Sequence, residues 1–298
     1  MARAARGVYG ECMSPRLLAT LILGAALAAG CGQASAKPPT GTAPNPNQGL
    51  IAESAAATKN AGTARAAYTM TMSGLPQVGE LKASGDGLVD FRNRSSQLAF
   101  HMSYPQAGMT VDISERMIGS VIYMHSPLLA GVGKPWIKLD LQQFGKSQGL
   151  DLNATMSASS SDPAQMLTYL NAASDSIDRV GTQNVRGVAT TRYHVVLDLF
   201  KIAARAPSSQ RAAVRRTFAR EAKLLGSHTM PIDVWIDSSG LVRREHIQIP
   251  LKAPSIPAGA SMAMTIDLFD FGVPVHVKAP PAGDVTDFSD VVPPSPSA

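Results

Sequence analysis

Along much of this chain apolar and polar residues trade places one by one, and that two-residue period commits it to half-buried β-strands. Tyr68, Met70 and Met72 alternate with Thr69, Thr71 and Ser73, so each set falls on its own face of a pleated strand. Residues 79–91 continue in this manner, and Leu98, Phe100 and Met102 then alternate with Gln97, Ala99 and His101. Residues 109–114 and 120–125 predict a further pair, with 135–139 behind them. Residues 176–181 and 188–199 predict another. Strands at 233–237 and 241–249 flank the turn Ser238-Ser239-Gly240 as a hairpin, and 261–271 supplies a last long strand. The expected order is overwhelmingly antiparallel. Two helices interrupt it. Asp162 is an N-cap with Pro163 at the first helical position and Gln165 three residues on, and Met166, Leu167 and Leu170 share one face. The second helix covers 208–225 and is closed by Gly226. Its apolar stripe is Val214, Phe218 and Leu225, so each helix has one face to bury, and the sheet is the available partner.

Ahead of this pattern lies a leader. Arg16 precedes an apolar run of about 14 residues, too short for a bilayer span of roughly 20 but suited to a secretory signal. The run ends in Leu27-Ala28-Ala29-Gly30-Cys31, which resembles a bacterial lipobox. That resemblance implies a thioether-linked diacylglycerol on Cys31, cleavage before it, and acylation of the new amino terminus. Met13-Ser14-Pro15-Arg16 would serve equally as a start. The expected organisation is a signal peptide over 1–30, a lipidated Cys31 with a flexible tether over 31–49, a globular domain over 50–277, and a Pro/Asp-rich tail over 278–298.

Composition limits what the domain can be. Cys12 falls in the leader and Cys31 is taken by lipid, so the mature chain has no disulfide to lean on and depends on its hydrophobic core. The whole-chain charge is +5, of which the leader holds +2, and the remainder is no nucleic-acid footprint. Residues 32–49 are Pro, Gly, Ala, Ser, Thr, Asn and Gln with Lys37 as the one charge, a composition that does not offset ordering entropy. Such a tether reaches about 23 Å on average and about 60 Å at most.

Several segments carry a family resemblance. Tyr123-Met124 through Lys134-Pro135-Trp136-Ile137-Lys138-Leu139-Asp140, the run GVATTRYHVVLD from Gly187 to Asp198, PIDVWIDSSGLVRR from Pro231 to Arg244, and Phe269-Asp270-Phe271-Gly272-Val273-Pro274-Val275 together resemble actinobacterial lipoproteins of the LppX/LprAFG family. The match covers roughly residues 50–290. It implies an α+β fold similar to the LolA/LolB carriers, a curved antiparallel half-barrel with helices on its concave face. It also implies an apolar cavity between sheet and helices that takes acylated lipids or glycolipids, on a protein anchored at the outer face of the cell membrane. The family fixes no catalytic motif.

Residues fit to line such a cavity are present. Of 13 methionines, Met1 and Met13 lie in the leader, and Met70, Met72, Met102, Met262 and Met264 sit at alternating strand positions. Unbranched thioethers fill irregular space and adapt to variable ligands; they equally serve as ordinary core. The candidate lining is completed by Phe100, Met166, Leu170, Val214 and Phe218, with Leu128 and Leu129 in a small apolar loop that is either a rim or a plain connection.

Chemistry is otherwise sparse. The histidines at 101, 125, 194, 228, 246 and 276 show no metal spacing and read as surface or packed residues. Asp267, Asp270, Asp284, Asp287 and Asp290 read as solvated. No nucleophile elbow, P-loop or dinucleotide fingerprint occurs, so neither an enzyme, a metal nor a cofactor is expected. Arg211, Arg215, Arg216, Arg220 and Lys223 crowd one helix, as a solvated face or as a contact for anionic headgroups. The expected function is binding and transfer of acylated lipid or glycolipid. The alternative is an anchored interaction module using the same scaffold for an envelope partner, since a fold hosts many functions.

If Cys31 carries the anchor, Cys31→Ala leaves a longer precursor, or a form shed by another peptidase, that no longer partitions into detergent. Phase separation with intact-mass analysis checks this, and a wild-type mature chain beginning beyond Cys31 with no acyl mass would refute it.

Overall fold

The computed structural model describes residues 46–75, 79–147, 174–206, 208, 211–252 and 257–291. Cys31, most of the expected tether, and the helix expected from Asp162 with Met166 and Leu170 lie outside the described residues.

Twelve strands form one open sheet: β1 (Thr63–Leu75), β2 (Gly79–Asp90), β3 (Ser95–Tyr104), β4 (Met109–Ile118), β5 (Val121–His125), β6 (Trp136–Asp140), β7 (Ser174–Val185), β8 (Val188–Asp198), β9 (Thr229–Asp237), β10 (Val242–Pro250), β11 (Ser261–Phe269) and β12 (Val285–Asp287). The spatial order is β12-β6-β5-β4-β3-β2-β1-β11-β10-β9-β8-β7. Two meanders are thus joined edge to edge. One is β1 to β6, the other β7 to β11, and the seam is the antiparallel pair β1–β11, in register from Arg65↔Phe269 to Ser73↔Ser261. Every pairing is antiparallel except β12 with β6. The α+β, antiparallel architecture expected from the alternation is the one the chain adopts.

Register sorts the side chains. Opposite Met70 stand Met264 and Ala83, and opposite Met72 stand Met262 and Leu81. Ala83 in turn faces Met102, and Met102 faces Val111. The apolar phase of each strand therefore lands on one shared inner face, because a period of two leaves no other way to bury it. On β2 that face carries Gly85 and Gly87. A Cβ on either would run into a backbone oxygen of β3, that of Ala99 or of Gln97. The two glycines let β2 and β3 approach closely where the sheet bends, the use to which strand glycines are often put.

The helices lie on the inner face. α1 (Pro46–Asn60) places Ile51 against Ile177, Tyr193, Val195, Val234, Ile236 and Val242. α2 (Leu141–Ser147) follows β6. α3 (Leu199–Arg205) starts at Asp198, whose carboxylate accepts from the backbone N–H groups of Phe200 and Lys201 at 2.7 and 3.1 Å. α4 (Arg211–Leu225) and α3 bring Leu199, Leu225, Ile202 and Phe218 onto Ile249, Leu251, Met72, Met230 and Met262. α5 (Phe288–Val291) closes the described chain, with Phe288 beside Phe144 of α2.

Three expectations need correction. α1 was not expected; it begins at Pro46, four residues inside the proposed tether, because its buried side is built from Ile51, Ala52 and Ser54, too small and mixed to advertise an apolar stripe. α3 was not expected either, only its first residue, Leu199, having been read as the end of a strand, and its signal is the Asp198 cap. The tail proposed over 278–298 is in part structural. Beyond β11, Val273, Val275 and Val277 are half-buried, the Arg116 guanidinium donates to the Lys278 carbonyl at 3.1 Å, and Lys138 pairs with Asp287 at 2.9 Å. The segment crosses the sheet to supply β12.

Gly85→Ala is expected to lower stability by about 1–3 kcal/mol through forced overpacking, read as a lower urea midpoint with an unchanged slope. A midpoint equal to that of the unaltered chain would show that β2 and β3 have room to part.

Candidate functional site

Among the described residues the buried core comprises four clusters, the second and third meeting at Met72. Leu81, Met102, Tyr104 and Val111 make the third, and Ile122, Leu139 and Leu141 the fourth. Between the clusters, on the same inner face, Tyr68, Phe100, Ile113, Met124, Met264 and Ile266 are only half-buried. A packed interior joins its clusters directly; here a strip of apolar wall is left with accessible surface. Tyr68 and Phe100 meet edge to face with ring centroids 5.6 Å apart.

Two carboxylic acids stand in this wall. Glu115 of β4 lies opposite Leu98 and Met124, and Glu245 of β10 lies opposite Val234 and Ile266, all on the inner phase. Tyr68 sits between them at the seam, opposite Ile266 and Gly85. All three are half-buried, with part of each left accessible on the inner face. Burial pushes the Glu115 carboxyl up to about 7 and raises Glu245 as well. Burial, with the carboxyls of Glu115 and then Glu245 close enough to add to it, drives the Tyr68 phenol well above its usual range. For Tyr68 to sense acids three strands away on one side and two on the other, the sheet must curl toward this face.

The outer face carries the reverse chemistry. Asp233 accepts from Arg192 at 2.7 Å and pairs with His194 at 2.9 Å. Asp267 accepts from Arg244 at 2.6 and 2.8 Å and from Arg186 at 3.0 Å. Burial alone would raise both acids, but these hydrogen bonds hold them below the usual carboxylate range. The expectation that Asp267 is solvated is therefore wrong: its partners arrive from elsewhere in the chain, a pairing that one sequence does not display; Asp287 keeps an exposed side chain beside Lys138. Asp270 does stay exposed, 3.6 Å from Arg65. No group of three or more potential metal ligands occurs among the described residues.

The candidate lining residues divide as follows. Met70, Met72, Phe100, Met102, Met262 and Met264 share the inner face; Met102 is fully buried, and Met72, Met262 and Phe218 pack against the cluster under α3 and α4. Val214 is half-buried on α4, and Leu129 is half-buried in the short turn Pro127–Val132. The side chain of Leu128, with Met166 and Leu170, lies outside the described residues. An open cavity of about 720 Å³ adjoins this end, lined by Ile249, Leu251, Pro257 and Ala260 among others. It is smaller than the roughly 1,000 Å³ upper end of ordinary ligand pockets and lies at the β10–β11 turn, away from Tyr68. Glu115 and Glu245 were not anticipated, although their phase gives them away: Ile113-x-Glu115-x-Met117 and Glu245-x-Ile247-x-Ile249 place an acid in step with apolar neighbours.

Glu115 binds a proton in the folded chain up to about pH 7 and in the unfolded chain only to about 4.5, so stability falls as pH rises through that window. Glu115→Gln removes the effect. It should raise the thermal midpoint by about 2–4 °C at pH 8 and leave it unchanged at pH 4. A gain of equal size at both pH values would reject the assignment.

No protein-family model matches the chain. An uncharacterized 31.2 kDa protein in the rplA-rplJ intergenic region of Streptomyces griseus is 28% identical over 163 residues, 54% of this chain and 50% of that protein. The chain thus spans about half the length of this curated relative. The structure is similar to the lipoprotein LppX of Mycobacterium tuberculosis, with 16% identity, 78% of this chain and 97% of that one covered, and a TM-score of 0.44. It is similar also to LprF of Mycobacterium bovis, with 15% identity, 80% and 99% covered, and a TM-score of 0.41. Both belong to the lipoprotein group that the sequence motifs resemble. At these values the likeness says nothing about a ligand, and the functional reading stands on the inner face alone.

Proposed function

We propose that the chain is a lipoprotein, anchored through Cys31, that binds acylated lipid or glycolipid on the inner face of its sheet and carries it within the cell envelope. One observation supports this above the rest: an apolar inner face on which a run of side chains stays half-buried and so leaves apolar surface accessible. A wall of Met70, Met264, Ile266, Phe100 and Met124 offers acyl chains an environment like that of the bilayer they leave. Each CH₂ is worth about 0.8 kcal/mol against water but little against a membrane, so loading and release need no large driving force. Methionine adapts to chains of different length without a fixed shape. The exposed basic side of α4, with Arg211, Arg215, Arg216, Arg220 and Lys223, would rest on anionic headgroups at about 1 kcal/mol per residue. The reading assigns no reaction.

The alternative of an interaction module draws less support. The exposed large apolar residues among the described residues are Val180 and Phe200, and single residues of this kind are ordinary on any surface.

The full chain, purified and extracted with organic solvent, is expected to release acyl lipid beyond that held covalently, as read by mass spectrometry. Met264→Arg, which sets an unpaired charge into the wall, should reduce that lipid severalfold. An empty extract from the unaltered chain, together with unchanged stability on adding long-chain lipid, would overturn the reading.

A further inference from the structure

Buried polar groups in folded proteins nearly always find a partner, and the exceptions call for an explanation. Tyr68, Glu115 and Glu245 make no hydrogen bond or ion pair among the described residues, although all three are half-buried on one face of the sheet and both acids act on the phenol. The register surrounds them with apolar neighbours. Glu115 is flanked by Leu98 and Met124, Glu245 by Val234 and Ile266, and Tyr68 by Ile266 and Gly85. The paired inner-face positions of β1 to β6 and β8 to β11 carry no lysine or arginine, and the other titratable groups there are the phenols of Tyr104 and Tyr193. On α1, which packs over β10, the charged residues are the exposed Glu53 and the half-buried Lys59; the turn beside β4 carries none. Of the arginines of β8 and β10 that pair with acids, Arg192 and Arg244 stand at outer-face positions, and Arg243 at the β9–β10 register shift pairs with Asp237.

We propose that Glu115, Glu245 and Tyr68 form a docking station on the apolar inner face, holding the ester or hydroxyl oxygens of an uncharged lipid by hydrogen bonds from two carboxylic acids and a phenol. The inference rests on the lipid-carrier reading and names the kind of lipid that it takes. With no lysine or arginine at those paired inner-face positions, burial favours the neutral form of both acids, and a neutral carboxyl is a hydrogen-bond donor. An anionic lipid would bring a like charge against any acid that ionises, whereas an acyl ester supplies acceptors for the hydroxyl protons of the carboxyls and the phenol. Glycines at 85 and 87 leave the floor between Tyr68 and Glu115 free of side chains, which gives a polar linkage room beside the phenol. Ionisation of Glu115 at pH above about 7 removes one donor and places a charge in apolar surroundings, so affinity for a neutral lipid falls there.

The test is displacement of the uncharged dye Nile red from the delipidated full chain by a long-chain glycerol monoester, which does not titrate. Affinity is expected to weaken about fivefold between pH 6 and pH 8.5, the worth of about one ordinary hydrogen bond. Glu115→Gln, which keeps a donor at every pH, should abolish that slope. Glu245→Leu should weaken binding about fivefold at both pH values, and Tyr68→Phe should weaken it while the slope remains. Should the Glu115 variant fail to fold, the pH series on the unaltered chain and on Tyr68→Phe decides the matter. Dye that binds and is displaced with no pH slope, and equally from the variants, overturns the station and leaves the carrier reading standing. A chain that binds neither dye nor monoester overturns both. A long-chain alkyl amine that binds more tightly than the monoester, and more so as pH rises, would make the pair a cation site and overturn the proposal.

Discussion

Hydrogen bonding between β1 and β11 holds the two halves of this molecule together. Each half is a meander of neighbours in sequence, and each could form its own ladder from local contacts. The seam is different: it joins Ser73 to Ser261 and Arg65 to Phe269 and so depends on segments almost the whole domain apart. It also decides the character of the interior. Once β1 and β11 are in register, Met70 meets Met264 and Met72 meets Met262, and Tyr68 is placed between an acid from one meander and an acid from the other. A slip of one residue would turn every one of these outward. Pairings at such separation are slow to form, so the interior is completed after the meanders themselves.

The sheet divides its chemistry by face. Outward, charges are matched and ordered by aromatic rings: Arg192 and Arg244 lie over Trp235 at 5.2 and 5.9 Å, and the indole N–H donates to Gln183 at 2.6 Å. Inward, the matching stops. Among the described residues, two acids are left without cations while six carboxylates elsewhere pair with lysine or arginine. A protein that could pair Asp267 with two arginines had the means to pair Glu245 likewise. That it does not is most simply explained by a visitor to the interior.

Much of this was legible in the sequence because period-two alternation is a strong signal and a sheet of hairpins keeps its partners close. The strands at 109–114 and 241–249 appear within a few residues of where they were expected. What alternation does not carry was missed. α1 buries alanine and serine against the sheet, so its face has no large apolar stripe. The strand β12 is three residues long and pairs in parallel with β6, a contact that no local pattern announces. The acids at 115 and 245 were visible as letters, and their phase was readable. Their significance came only when the seam brought them toward one phenol.

The sulfur-lined wall has a consequence of its own. Thioethers are the softest groups in the interior and the ones most readily converted to sulfoxides. Met70 and Met264 stand directly opposite one another at the seam, both half-buried, so each is within reach of whatever small solute enters. Oxygenating either would set a polar, chiral group into a surface that works by having none. The adaptability that methionine lends to this wall is thus tied to a chemical vulnerability, and an occupied interior is the state in which those sulfurs are shielded.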